Sequence, residues 1–79
     1  MAKEKGCVPI MDIYMASFLA LHNQEPILNK QGSRVVFEFP GTQEILKLLE
    51  LYNTNPSIAL LEYVGHLRRL RAMMISMRG

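Results

Sequence analysis

The stretch that most constrains this chain is Arg34-Val35-Val36-Phe37-Glu38-Phe39. β-Branched and aromatic residues dominate it, and Val35, Phe37 and Phe39 share one side, the pattern of a strand with one buried face. The rest of the chain is placed by asking what covers that face. Ile27-Leu28 just upstream supply a short first strand of a hairpin. Between the two, Asn29-Lys30-Gln31-Gly32 has Asn at the first and Gly at the fourth position of a type I turn, which suits a three-residue hairpin loop. That register sets Leu28 opposite Arg34 and Ile27 opposite Val35, so Ile27 joins the core face. A two-residue turn at Gln31-Gly32 would instead set Glu25 against Glu38, a like-charge pair. The three-residue loop is therefore preferred.

Helices are expected on both sides of the hairpin. Pro9 marks the entry to the first, from Ile10 or Met11 to His22, with Asp12 placed to help its N-terminus. Ile13, Tyr14, Met15, Ala16, Phe18, Leu19, Ala20 and Leu21 make it apolar almost all round, with Ser17 the one interruption. A helix of this kind is either central in its domain or covered by a second chain. In 79 residues little else is left to cover it. A homodimer is the expectation, with Ile13, Tyr14, Phe18 and Leu21 as its seam and the outer edge of Arg34–Phe39 as the alternative seam. After the stop at Pro40-Gly41, Thr42 caps a second helix to about Tyr52, with Ile45, Leu46, Leu48, Leu49 and Tyr52 as its inner side. Asn53-Thr54-Asn55 breaks it. Asn55 is read as the cap of a last helix, with Pro56 in its first turn and an inner row of Leu60, Tyr63, Leu67, Leu70 and Met74 running on to about Met77.

The fold class that follows is α+β: a helix, a two-stranded antiparallel hairpin, then two helices, expected to be dimeric. Residues 1–10 are expected to form a flexible tail and residues 11–79 a single domain. A chain this short has a marginal core of its own and needs disulfides, a metal or association. Cys7 is the single cysteine, which excludes a disulfide within the chain. Cys7, His22 and His66 lack the paired spacings of zinc sites, so neither metal nor cofactor is expected. Association is left, with itself or another protein, and the 49% hydrophobic content supports it. Val8 to Leu21 is interrupted by Pro9 and Asp12 and is too short to span a bilayer. Asp12 also argues against a signal peptide. A cytoplasmic protein without a membrane partner is the expectation.

Three stretches carry a family resemblance: Tyr14-Met15-Ala16-Ser17-Phe18-Leu19 in a first helix, Gly32-Ser33-Arg34-Val35-Val36-Phe37-Glu38-Phe39 in a hairpin, and Leu67-Arg68-Arg69-Leu70-Arg71 in a last helix. Across about residues 11–76 the chain resembles a small family of bacterial, archaeal and phage domains of unknown function. The resemblance implies the α-β-β-α-α order and supplies no active site. Gln24-Glu25-Pro26 departs from the freer, glycine-type turn that the family pattern has at the entry to the first strand.

Chemistry is sparse. No nucleophile elbow, phosphate-binding glycine loop or helical His–acid motif is present, and Asp12, Ser17 and His22 scatter around their helix at five-residue spacings. No enzyme is expected. The charge is uneven: residues 1–65 carry a net −2 and residues 66–79 a net +4, giving the chain its +2. Arg68, Arg69, Arg71 and Arg78, with Lys30 and Arg34 of the hairpin, are the candidate nucleic-acid-binding residues. The plainer reading is that arginines late in a helix oppose its negative end and hold their charge in water. A DNA-reading helix-turn-helix is disfavoured, because the first residues of the last helix, Ser57 to Leu60, are mostly apolar. The function expected is a homo-oligomeric interaction or accessory module, and the alternative is non-specific binding of a nucleic-acid backbone.

Overall fold

The computed structural model describes residues 6–78. Its elements are β1 (Cys7–Ile10), α1 (Ile13–Leu21), β2 (Ile27–Gln31), β3 (Arg34–Pro40), α2 (Gln43–Tyr52) and α3 (Leu60–Arg78). The architecture is α+β: a three-stranded antiparallel sheet in the order β1-β3-β2, with three helices. The hairpin of the sequence reading is present, and a strand has been added to it.

That strand corrects the expected tail. Of residues 1–10, 1–5 lie outside the described residues, while Cys7–Ile10 pair with β3 from Cys7↔Pro40 to Ile10↔Phe37. β1 is four residues long and contains Pro9, which hid it in the sequence; an edge strand tolerates proline because one row of its amides has no partner. The outer edge of β3, offered above as an alternative dimer seam, is therefore filled by the same chain. β1 and β2 both run antiparallel to β3 and so parallel to each other. The α1 crossover between them leaves the central slot that β3 occupies.

The hairpin register also differs. Ile27 pairs with Glu38, Leu28 with Phe37, Lys30 with Val35 and Gln31 with Arg34, which leaves Gly32-Ser33 as a two-residue turn. Gly32 has φ +64° and Ser33 is not among the positive-φ residues, the sign pattern of a type II′ turn, whose twist matches that of the strands. A shift by an odd number of residues turns the whole of β2 over. Leu28 now faces the core opposite Phe37, and Ile27, expected inside, is 71% exposed. The observed register avoids the Glu25–Glu38 clash and lets the Asn29 amide donate to Glu38 Oε2 at 3.0 Å.

Phe37 and Phe39 are fully buried, as the alternation requires, while Glu38 is half-buried. One core joins them to Ile10, Phe18, Leu19, Ile45, Leu48 and Leu70, so all three helices contribute to the same sheet face. α1 begins at Asp12, whose Oδ1 accepts from the Tyr14 amide at 2.9 Å. It ends at Asn23 in the left-handed region (φ +66°), with Asn23 N–H on the Ala20 carbonyl and Gln24 N–H on the Leu19 carbonyl, a Schellman closure. Five consecutive residues, Ala16 to Ala20, are buried, and Ser17 satisfies its hydroxyl by donating to the Ile13 carbonyl at 2.7 Å. The helix is thus central in its own domain. Thr42 caps α2 by accepting from the Ile45 amide at 3.2 Å. Leu46, expected inside, is 53% exposed. Asn55, read above as the cap of the last helix, has φ +57° instead, and α3 starts where the Ala59 carbonyl accepts from the Tyr63 amide at 3.0 Å. Leu60, expected in the inner row, is 65% exposed as a result.

Candidate functional site

α3 is nineteen residues long, with Leu70 its one fully buried side chain. It packs on α1 and on the hairpin, and this lays its last turns beside the tip of β2 and β3. Arg68, Arg71 and Arg78 are exposed on it. Arg78 borders one open gap with Lys30, Gly32 and Ser33, and a second with Met11, Arg34, Val35 and Met74. Lys30 and Arg34, four residues apart in the hairpin, thus each share a gap with Arg78, which is far from them in sequence. Among the described residues no acidic side chain lines either gap. Arg34 is steadied there by a contact of its Nη1 with Met11 Sδ at 3.3 Å.

Arg69 behaves differently. Its guanidinium forks onto Glu25, Nη1 to Oε2 at 2.7 Å and Nη2 to Oε1 at 3.2 Å, with Nη2 also 3.2 Å from His66 Nδ1. It points to the start of β2, away from the hairpin tip, and its charge is matched. Of the six cationic candidates, Arg69 thus leaves the cluster; Arg68 and Arg71 lie along α3 toward the group formed by Lys30, Arg34 and Arg78.

A second feature lies at the other end of α3. Phe18, Tyr52, Asn53 and Asn55 line a cleft of about 400 Å3 with Pro56, Ile58 and Tyr63. The Phe18 ring is tilted against Tyr52, with centroids 5.4 Å apart, and against His22 at 4.7 Å. The Tyr63 hydroxyl donates to the Tyr14 carbonyl at 3.0 Å, tying the start of α3 to α1. Burial, and then the negative charge of Asp12, raise the Tyr52 phenol above its usual pKa. Burial chiefly does the same for Tyr63, with smaller repulsions from Tyr52, Asp12 and Tyr14. The sequence reading missed this cleft because Asn53-Thr54-Asn55-Pro56 reads as a helix stop followed by a cap. The run of two asparagines and a proline between Tyr52 and Tyr63 was the one available signal.

Of the four residues of the expected dimer seam, one is buried within the chain. Phe18 is 2% exposed within a single copy, so it offers a partner nothing. Ile13 and Leu21 are half-buried, and Tyr14 alone of the four is exposed. The apolar girth of α1 is explained by its own sheet and helices. Among the described residues no group of three or more His, Cys, Asp or Glu converges as a metal site would need. No helix among them is long and apolar enough to cross a membrane. Comparison with known proteins finds no matching family model, no matching curated protein and no matching solved structure.

Proposed function

We propose that this domain binds the phosphate backbone of nucleic acid through Arg68, Arg71 and Arg78 of α3 together with Lys30 and Arg34 of the hairpin. The observation that carries the reading is that Lys30 and Arg34 each share a gap with Arg78, and that among the described residues no acidic side chain lines either gap. Arginines late in one helix are ordinary; cations brought together from a hairpin and a helix end are less so. Like charges placed together oppose folding unless a polyanion relieves them. Guanidinium groups hold phosphate oxygens in pairs, and the Lys30 ammonium adds a point charge. Such contacts fix position on a backbone and carry no base sequence.

Binding of this kind releases counterions, so affinity falls with salt at about 0.9 log units per log unit of salt for each duplex phosphate engaged. Fluorescence anisotropy with a random-sequence oligonucleotide, read across a salt series, tests it. Replacing Arg68, Arg71 and Arg78 together by Gln is expected to weaken binding and flatten the slope by about 2–3. Arg69→Gln is expected to leave both unchanged. An absence of binding at low salt, or an unchanged slope in the triple variant, overturns the reading.

A second reading keeps the domain as a homo-oligomeric interaction module. Leu61, Gly65, Arg68, Ala72 and Ile75 are all exposed and recur at the alternating four- and three-residue spacing of a helix–helix seam. Light scattering separates the two readings: a mass near 9.0 kDa is the monomer, and about twice that supports the seam.

A further inference from the structure

The cleft between the end of α2 and the start of α3 has a definite chemistry. Its volume of about 400 Å3 lies in the range that seats a small ligand. Tyr52 and Tyr63, both half-buried, line it together with the exposed Asn53 and Asn55, while Phe18, packed against Tyr52 and almost wholly buried, leaves an occupant little surface. Among the described residues no charged side chain lines it, which favours a neutral occupant. Aromatic walls favour a flat ring, and carboxamides, which both donate and accept, favour a ring with hydrogen-bonding edges.

Its position matters as much. Tyr63, Arg71 and Arg78 lie on one helix, at 1.5 Å per residue about 12 and 22 Å from Tyr63 to the two arginines. At 100° per residue the three fall within an arc of about 80°. A backbone tracking Arg71 and Arg78 is therefore led along one flank of α3 toward the cleft. That span suits the few nucleotides that grooves for single strands occupy. A paired base in a duplex cannot enter such a cleft, whereas a splayed base stacks readily on aromatic side chains.

From this we propose that the cleft seats an unpaired nucleobase, so that the nucleic acid held by the cationic flank is single-stranded. The proposal rests on the backbone-binding reading above and adds the choice between single strand and duplex.

The test compares three labelled ligands by anisotropy: a short single strand, the same strand with abasic sites throughout, and the corresponding duplex. The intact single strand is expected to bind about tenfold more tightly than the abasic strand. Two variants remove the cleft chemistry, Tyr52→Leu and the double change Asn53→Ala with Asn55→Gly. The second is the safer for folding, since both side chains are exposed and glycine accepts the positive φ of position 55. Each is expected to bring the intact strand down to the affinity of the abasic one and to leave the abasic affinity unchanged. Equal binding of intact and abasic strands, or a preference for duplex, overturns the cleft proposal and leaves the backbone reading standing. No binding of any ligand at low salt overturns both.

Discussion

α1 and α3 are both rich in apolar residues, yet they occupy opposite positions in the molecule. α1 has nine residues and buries five of them in succession; α3 has nineteen and buries one. The difference follows from what surrounds each. α1 crosses between β1 and β2 and is packed by the sheet, α2 and α3, so most of its apolar side chains find cover, with Tyr14 left exposed. α3 closes the outside, touching α1 and the hairpin along a single row that includes Tyr63, Leu70, Met73 and Met74. Its remaining surface is open and carries the arginines. A helix that is apolar all round needs no second chain when the domain can place it centrally. A long helix that commits only one row has the rest of its surface available for partners.

The comparison is broken most directly from the core. Phe37→Ala empties a fully buried site on the sheet face that α1 covers and is expected to destabilise by about 3–5 kcal/mol, enough to unfold a marginal domain. Leu70→Ala should cost about 2–5 kcal/mol, because it removes the one fully buried side chain of α3. Leu61→Ala, at a position 84% exposed in the same helix, should change stability by less than about 0.5 kcal/mol. Urea melts of the three variants check the order. If Leu61→Ala destabilised as much as Leu70→Ala, the open face of α3 would be covered in solution.

The sequence made the centre of this fold legible and its edges poorly so. The alternation of Val35, Phe37 and Phe39 is a property of one strand, and all three are buried, although Val36 on the other side is buried too and Glu38, expected exposed, is half-buried. Register belongs to a pair of strands. There the cue of Asn29 to Gly32 as a type I turn lost to a tighter type II′ arrangement that brings Leu28 inward. β1 was hidden because four residues around Pro9 carry almost no periodic signal; only the free edge of β3 shows why they pair. The cationic cluster was half legible. The arginines of α3 and the cations of the hairpin could be named, but sequence spacing could not tell that Arg69 would turn to Glu25 while Arg78 approached Lys30. The aromatic cleft needed the close of α2 against the start of α3, which a run of turn-forming residues does not disclose.

A smaller effect sharpens the contrast on α3 itself. Gly65 lies inside the helix with an ordinary φ, and a methyl group built there meets nothing within 4 Å. Nothing among the described residues requires glycine here, so Gly65→Ala should stabilise the monomer by about 0.8–1 kcal/mol through helix propensity. A rise in melting temperature with unchanged mass in solution is the expected result. A loss of stability would mean that another backbone approaches closely at this point, as the seam through Leu61 and Ile75 requires.

The smallest expected effect lies where the two helices are tied together. Tyr52 and Tyr63 hold their protons more tightly in the folded chain than an unfolded tyrosine does, whose pKa is about 10. Above that pH the unfolded state loses these protons first, so the unfolded state binds fewer protons and stability falls as pH rises. The contribution is therefore fully present below about pH 10 and is lost as pH rises through the folded pKa values. Ionised Tyr63 also ceases to donate to the Tyr14 carbonyl, the bond that anchors the start of α3 to α1. Urea melts from pH 8 to 11 should show a midpoint steady in the lower part of the range and falling in the upper part. Tyr63→Phe removes one of the two phenols, so its midpoint should be slightly lower at pH 8 and should fall less steeply above pH 10. A variant with the same alkaline slope as the parent would assign the titration to Tyr52 alone and leave the α1–α3 tie out of it.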